Sequence, residues 1–127
     1  WLLNLGLKKT FKLNKLSSSV FKEFFFNKCT ITSATWNGMN SSAWKKDIMA
    51  VNGFDSRMQY GGEDREFGER LVNCKIKGLQ IRYSAICVHL FHLRGYKNEA
   101  TIMANLNIRA QTKKEKIIKT PFGINQL

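Results

Sequence analysis

Two consecutive glycines, Gly61 and Gly62, stand directly before the acidic pair Glu63-Asp64 and a stretch in which Phe67, Leu71 and Cys74 recur at helical spacing. Paired glycines interrupt any regular element and free the backbone for a tight turn or a close approach to a ligand. The acidic pair therefore opens a helix, where unpaired backbone N–H groups and the helix dipole favour negative charge. Gly78 is placed to follow the end of that helix as its C′ residue. Two readings of Glu63 and Asp64 stand side by side. Acids in a first turn stabilise a helix, and carboxylates beyond a glycine turn also suit a general base and a ligand-holding group.

The remaining chain divides around this unit. Residues 1–28 carry Leu2, Leu3, Leu5, Leu7, Phe11, Leu13, Leu16, Val20, Phe21, Phe24, Phe25 and Phe26 among Lys8, Lys9, Lys12, Lys15, Lys22 and Lys28. Six lysines against the single Glu23 leave this stretch at +5. The spacing of Leu13, Leu16 and Val20, extended by Phe21 and Phe24, predicts one or two amphipathic helices. Such a segment lies on an anionic membrane surface or packs on its own domain. Residues 29–36, CTITSATW, alternate and are β-branched, which predicts a strand. A turn at Asn37-Gly38-Met39-Asn40 follows, then a short helix capped by Ser41 or Ser42 and running to about Ala50, with Trp44 and Ile48 on one face. Residues 79–90 read as one or two short strands. Asn98 is the expected cap of a last helix whose apolar positions are Ile102, Met103, Leu106 and Ala110.

Composition narrows the classes. A hydrophobic fraction of 43% with nine phenylalanines and three tryptophans excludes a disordered polypeptide. No uncharged apolar run reaches the ~18 residues that would span a bilayer. Cys29, Cys74 and Cys87 form no CxxC pair and no disulfide framework, which points to reduced thiols in a cytoplasmic protein. The net charge of +12 favours anionic partners without choosing among nucleic acid, phospholipid headgroups and phosphorylated substrates. The chain starts at Trp1 and shows no signal peptide, which suggests a piece of a longer protein.

His89 and His92, in VHLFH, are the only histidines. On a strand they point to opposite faces. One imidazole beside carboxylates suits a divalent ion bound with phosphate oxygens, and a hydrogen-bonded histidine at a strand edge explains it equally. Gly38, Met39 and Asn40 form a turn whose amides can meet a sugar or a pyrophosphate, though any turn uses such residues.

Taken in order, GMNSSAWKKD, VNGFD, YGGEDREFGERL and AICVHLFH resemble the C-terminal half of the GT-A glycosyltransferases, in particular family-two bacterial enzymes and the galactosyltransferase C-terminal module. The resemblance runs unbroken from about Gly38 to His92, and the closing GINQL resembles the family's own terminus. It implies an α/β fold: a partial GT-A (nucleotide-diphospho-sugar transferase) domain, acceptor-side half, over residues 29–127, preceded by the amphipathic helical segment 1–28. It also implies roles. Gly38, Met39 and Asn40 line the donor-sugar pocket, and Asn52 to Asp55 form a structural turn. Asp64 takes the proton from the acceptor hydroxyl, with Glu63, Gly62 and Tyr60 on the acceptor. His89 is a ligand of a divalent ion, Mn2+ or Mg2+, under the nucleotide diphosphate. Relatives usually carry Gly-Trp-Gly where this chain has Gln59-Tyr60-Gly61; Tyr60 keeps an aromatic face for a sugar ring. The Asp-x-Asp metal motif of the donor half does not occur here and is expected before Trp1.

The function implied is metal-dependent hexosyl transfer, with inversion, from a nucleotide-sugar donor such as a uridine diphosphate sugar to a glycan hydroxyl. The setting implied is cell-surface polysaccharide synthesis at the inner face of the membrane. Two other readings stand against it. A truncated, non-catalytic remnant would fold without turnover. A basic nucleic-acid-binding module would need a recognition motif that the sequence lacks, and the central carboxylates do nothing for it.

Overall fold

The computed structural model describes residue 4, residues 19–88 and residues 98–126. Four α-helices occur among them, α1 (Val20–Cys29), α2 (Lys45–Ala50), α3 (Glu63–Asn73) and α4 (Glu99–Glu115), with a 3-10 turn at Ile124–Gln126. The described residues fall into two units, one of residues 19–34 with 79–88 and the other of residues 35–78 with 98–126.

The second unit contains the core and the acidic pair. Val51, Phe67 and Leu71 form its buried apolar cluster, with Trp36, Ile48, Cys74 and Ile76 packed around them, and Met58 is buried as well. Phe67 is sandwiched between two rings: Trp36 meets it edge-on at 4.8 Å and Phe54 stacks on it at 4.4 Å. Gly68 sits mid-helix because a Cβ there would come within 2.5 Å of the Trp36 Cβ.

So small an apolar core is supplemented by buried polar groups. Within α3, Arg70 Nε donates to Glu66 Oε1 at 2.8 Å, and both side chains are sealed from solvent. Arg70 Nη1 donates to the Val51 carbonyl at 2.6 Å, and the Thr112 hydroxyl donates to Glu66 Oε1 at 2.9 Å. The end of α2, the middle of α3 and the last turn of α4 thus meet on one ion pair.

Helix ends follow one scheme. After α2, Asn52 N donates to Met49 O and Gly53 N to Ile48 O; after α3, Lys75 N donates to Val72 O and Ile76 N to Leu71 O. These paired bonds form Schellman motifs, with Asn52 (φ +64°) and Lys75 (φ +66°) in the left-handed position. Lys116, at φ +55°, takes the corresponding place after α4, where Ile117 N donates to Thr112 O. α3 therefore closes at Lys75 and not at Gly78, because the Ile76 side chain must return to the core.

The turn at Asn52–Asp55 is clamped to the C-terminal segment. Asn52 Nδ2 donates to Thr120 O, while its Oδ1 accepts from Asn125 N and its carbonyl from Ile124 N. A Cβ on Gly123 would lie 1.7 Å from the Asn52 carbonyl oxygen, so only glycine fits there. Buried Asp55 accepts from Arg57 at 2.8 Å and from the Thr120 hydroxyl at 2.7 Å, and Arg57 lies over the Phe122 ring.

The α/β expectation is overturned. Among the described residues there is no strand and no sheet, so the partial GT-A arrangement is not seen. Residues 29–36 lie partly in α1 and partly in irregular backbone, and residues 79–88 include a turn held by bonds from Ser84 N and Ala85 N to Ile81 O. β-Branched alternation expresses a preference for a half-buried pleated surface, and it becomes a strand only against a ladder partner. Here side chains join residues 79–88 to Thr32 and to Asn27 of α1 instead. Gln80 Nε2 donates to Thr32 O, Asn27 Nδ2 donates to Ser84 Oγ, and Asn27 Oδ1 accepts from Tyr83 N.

Two finer expectations also change. Ser41 does not cap α2, which begins after Trp44; its hydroxyl is instead bonded to Asn37. Asn98 caps α4 as expected, accepting from Ala100 N and Thr101 N. The buried side chains of α4, however, are Asn105 and Thr112, while Met103 and Leu106 are exposed. The surface it covers presents carbonyl and carboxylate oxygens, which require donors. Of the segment 1–28, only residue 4 and residues 19–28 are described; the latter fall largely in α1.

Two stability measurements follow from this packing. Lys75→Gly relieves a side chain in the left-handed region and raises unfolding stability by about 0.5–1 kcal/mol in urea titration; an unchanged or lower midpoint would contradict this cap assignment. Burial pushes the Asp55 carboxyl up, but hydrogen bonds from Arg57 and Thr120 and the Arg57 charge outweigh it and hold the group below its ordinary value. Stability from a lowered carboxylate is full above its unfolded pKa and disappears as pH falls through the folded one. Asp55→Asn should accordingly lower stability at neutral pH and flatten the acid limb below about pH 4, and an acid limb as steep as wild type would refute it.

Candidate functional site

The start of α3 is built by its two glycines. Gly61 and Gly62 have φ of +113° and +97°, a region open to glycine at little strain, and Gly62 is the N-cap. Glu63 reaches back so that its Oε2 accepts from Gly61 N at 2.7 Å. Asp64 Oδ1 accepts from Arg65 N at 2.7 Å, and its Oδ2 accepts from Gly38 N at 3.1 Å. Both carboxylates are half-exposed.

The Gly38–Asp64 bond spans 26 residues of sequence and joins two of the motifs on which the resemblance rests. The turn that delivers Gly38 is local. Asn40 N donates to Asn37 O, and Ser41 both accepts from Asn37 N and donates to Asn37 O. A Cβ on Gly38 would meet Asp64 only at 3.6 Å, an ordinary contact, so space alone does not demand glycine there. Met39 is exposed beside it and Asn40 half-buried. Tyr60, half-buried, precedes the glycine pair. Gly38, Met39, Asn40, Tyr60, Gly62, Glu63 and Asp64 thus belong to one unit, and the Gly38–Asp64 hydrogen bond links the two groups. His89 and His92 lie outside the described residues.

Two side chains that the sequence reading did not single out complete the surroundings. Asn105, buried in α4, donates from Nδ2 to Gln59 O at 3.1 Å and to Gly61 O at 3.0 Å. Arg109, one helical turn further on, lies with its Cδ 3.2 Å from where a Gly62 Cβ would be, and its Nη2 donates to Glu69 Oε1 at 2.7 Å. The available signal was that Ile102, Asn105, Arg109 and Thr112 form one stripe at helical spacing, offset from the apolar one.

The chemistry open to this arrangement is that of a positioned carboxylate. Each oxygen of Asp64 already accepts one backbone N–H and retains a second lone-pair direction for a hydroxyl. Among the described residues no group of three or more His, Cys, Asp or Glu side chains is placed to hold a metal.

Residues 19–97 match the family model described as the N-terminal domain of galactosyltransferase. That description speaks of an N-terminal domain, whereas the resemblance in the sequence is to the C-terminal module; on the family the two agree. Comparison with curated proteins and with solved structures gives no match. The matched stretch contains the Gly38 turn, the Gly-Glu-Asp helix start and His89, and it covers well over half of the chain. The chain belongs to the galactosyltransferase family.

Proposed function

We propose that this chain carries the acceptor side of a glycosyltransferase active centre, with Asp64 as general base. The contact between Gly38 N and Asp64 Oδ2 carries the reading, because it sets the turn proposed for the donor sugar against the carboxylate proposed for the acceptor. Asp64 takes the proton of an acceptor hydroxyl. The oxygen attacks the anomeric carbon of a nucleotide-diphosphate sugar, the bond to the diphosphate breaks, and the configuration inverts. Gly38, Met39 and Asn40 face the donor, a uridine diphosphate sugar. Glu63, Gly62 and Tyr60 hold a glycan acceptor, Tyr60 offering a ring face to the sugar.

The exposed face of α1 supports a second element of the proposal, contact with the anionic inner surface of the cell membrane during polysaccharide synthesis. Val20, Phe21, Phe24 and Phe25 are 81%, 89%, 69% and 60% exposed and fall within one half of the helix circumference. Phe26, on the other side, packs on Tyr83, while Asn27, at the edge of this face beside Val20, bonds Ser84 and Tyr83 N. Lys28 lies over the Phe24 ring, so the apolar face carries a cation suited to phospholipid headgroups.

Two experiments test these statements. Asp64→Asn keeps an oxygen for the Gly38 amide but removes the base, and it should lower sugar transfer by the full protein about 10²–10⁴-fold with donor binding retained. Undiminished transfer would remove Asp64 from the mechanism, and a wild type that turns over no nucleotide sugar would leave the remnant reading. For the surface of α1, wild type should co-sediment with phosphatidylserine-containing vesicles and the double variant Phe21→Ser, Phe25→Ser should not; equal sedimentation of the two would sink the membrane contact.

A further inference from the structure

α4 begins beyond the stretch that matches the family, yet it touches the candidate site at every turn. Ile102 lies against Gly61, where a Cβ would come within 3.1 Å of its Cγ1. Asn105 bonds the carbonyls of Gln59 and Gly61, Arg109 lies against Gly62, and Thr112 bonds Glu66 within α3. Asn105 is the telling member. It is 1% exposed, and a buried carboxamide in mid-helix, at a position that apolar side chains normally take, is tolerated only where its polar atoms are satisfied.

Its partners are informative. One amide group holds the carbonyl of Gln59, before Tyr60, and the carbonyl of Gly61, after it. Between those two fixed carbonyls lie only the φ and ψ of Tyr60 and Gly61, so one rigid point limits the freedom of both residues. Glu63, bonded back to Gly61 N, is referred to the same point. The glycines that let the turn form would otherwise leave it mobile, and backbone freedom at Gly61 and Gly62 would spread over every position of Tyr60 and Glu63.

We infer that Asn105 is a positioning residue for the acceptor: through the two carbonyls it holds, it sets where the Tyr60 ring and the Glu63 carboxylate stand. This rests on the functional reading above, in which those two side chains meet the acceptor. Asn105 touches neither substrate itself. Its loss acts through misplacement, and displacement of a substrate-holding group by about 1 Å is enough to cost orders of magnitude in rate.

The test compares the full-length wild type with Asn105→Asp, Asn105→Ala and Thr112→Val. The first is isosteric and replaces the donor by an oxygen that repels both carbonyls. The last removes a buried hydrogen bond of the same helix without touching the turn, and so controls for loss of stability. Amide hydrogen exchange reads the brace directly. Exchange at Tyr60, Gly61 and Gly62 should accelerate about tenfold in both Asn105 variants and stay unchanged in Thr112→Val. In transfer assays with methyl hexosides as acceptors, the KM for acceptor should rise about tenfold in the Asn105 variants with the KM for the nucleotide sugar unmoved. Unaltered exchange at 60–62 in a folded Asn105 variant overturns the inference whether or not sugar is transferred. Equal acceptor KM shifts in Thr112→Val overturn it too, as a general effect of stability. A wild type with no transfer but an intact exchange contrast overturns the functional reading, and the acceptor role with it, while leaving the brace established.

Discussion

A carboxylate and a guanidinium buried against each other inside α3 form the interaction on which the second unit depends. Glu66 and Arg70 stand one helical turn apart, so their pairing is already favoured within the helix. What makes the pair structural is what else it holds: the Val51 carbonyl at the end of α2 and the Thr112 hydroxyl in α4. Taking such charges out of water is costly, and the remaining hydrogen bonds are needed to offset it. Removing either partner leaves a charge stranded, at a cost of roughly 3–5 kcal/mol. Four buried apolar side chains would be a meagre core alone. The ion pair supplies the connections that more leucines and valines would supply elsewhere, and it is directional where they are not.

That directionality reaches the candidate site. Glu66 lies within one turn of Glu63 and Asp64, so whatever orients α3 about its axis also orients the acidic pair. The Gly38 turn meets Asp64 on one side, and the α4 stripe meets Gly61 and Gly62 on the other. The helix start is therefore held from both flanks while its carboxylates stay half-exposed, the condition required of groups that must meet a substrate in a fixed place. The clamp between Asn52–Asp55 and the C-terminal segment performs a similar service at the far end of α2, through side chains that are polar but buried.

Much of the local order was legible in the residues. The glycine pair followed by acids marked the start of α3, Phe67, Leu71 and Cys74 marked its inward face, and Asn98 marked the cap of α4. Each of these depends on interactions within a few residues, and such interactions are encoded where they act. The strands expected at 29–36 and 79–90 were a different kind of statement. A strand is a relation between two segments, and alternation in one of them carries no information on whether its partner stands alongside. The face of α4 failed for a related reason. Ile102, Met103, Leu106 and Ala110 define the more hydrophobic stripe, but burial follows the surface offered. That surface consists of the Gln59 and Gly61 carbonyls and the Glu66 carboxylate, which call for Asn105 and Thr112.

The sequence by itself determined where α3 and α4 begin, which side of α3 turns inward, and that two carboxylates open it beyond a glycine turn. Those outcomes rest on backbone geometry and side-chain spacing within single elements. Only the tertiary structure decided that Gly38 meets Asp64 across 26 residues, that the Glu66–Arg70 pair joins three segments at once, and that a carboxamide from α4 fastens the carbonyls of Gln59 and Gly61. Hydrogen-bond donors and acceptors are common along any chain. Which of them pair is settled when packing excludes water and an unpaired buried polar group becomes costly.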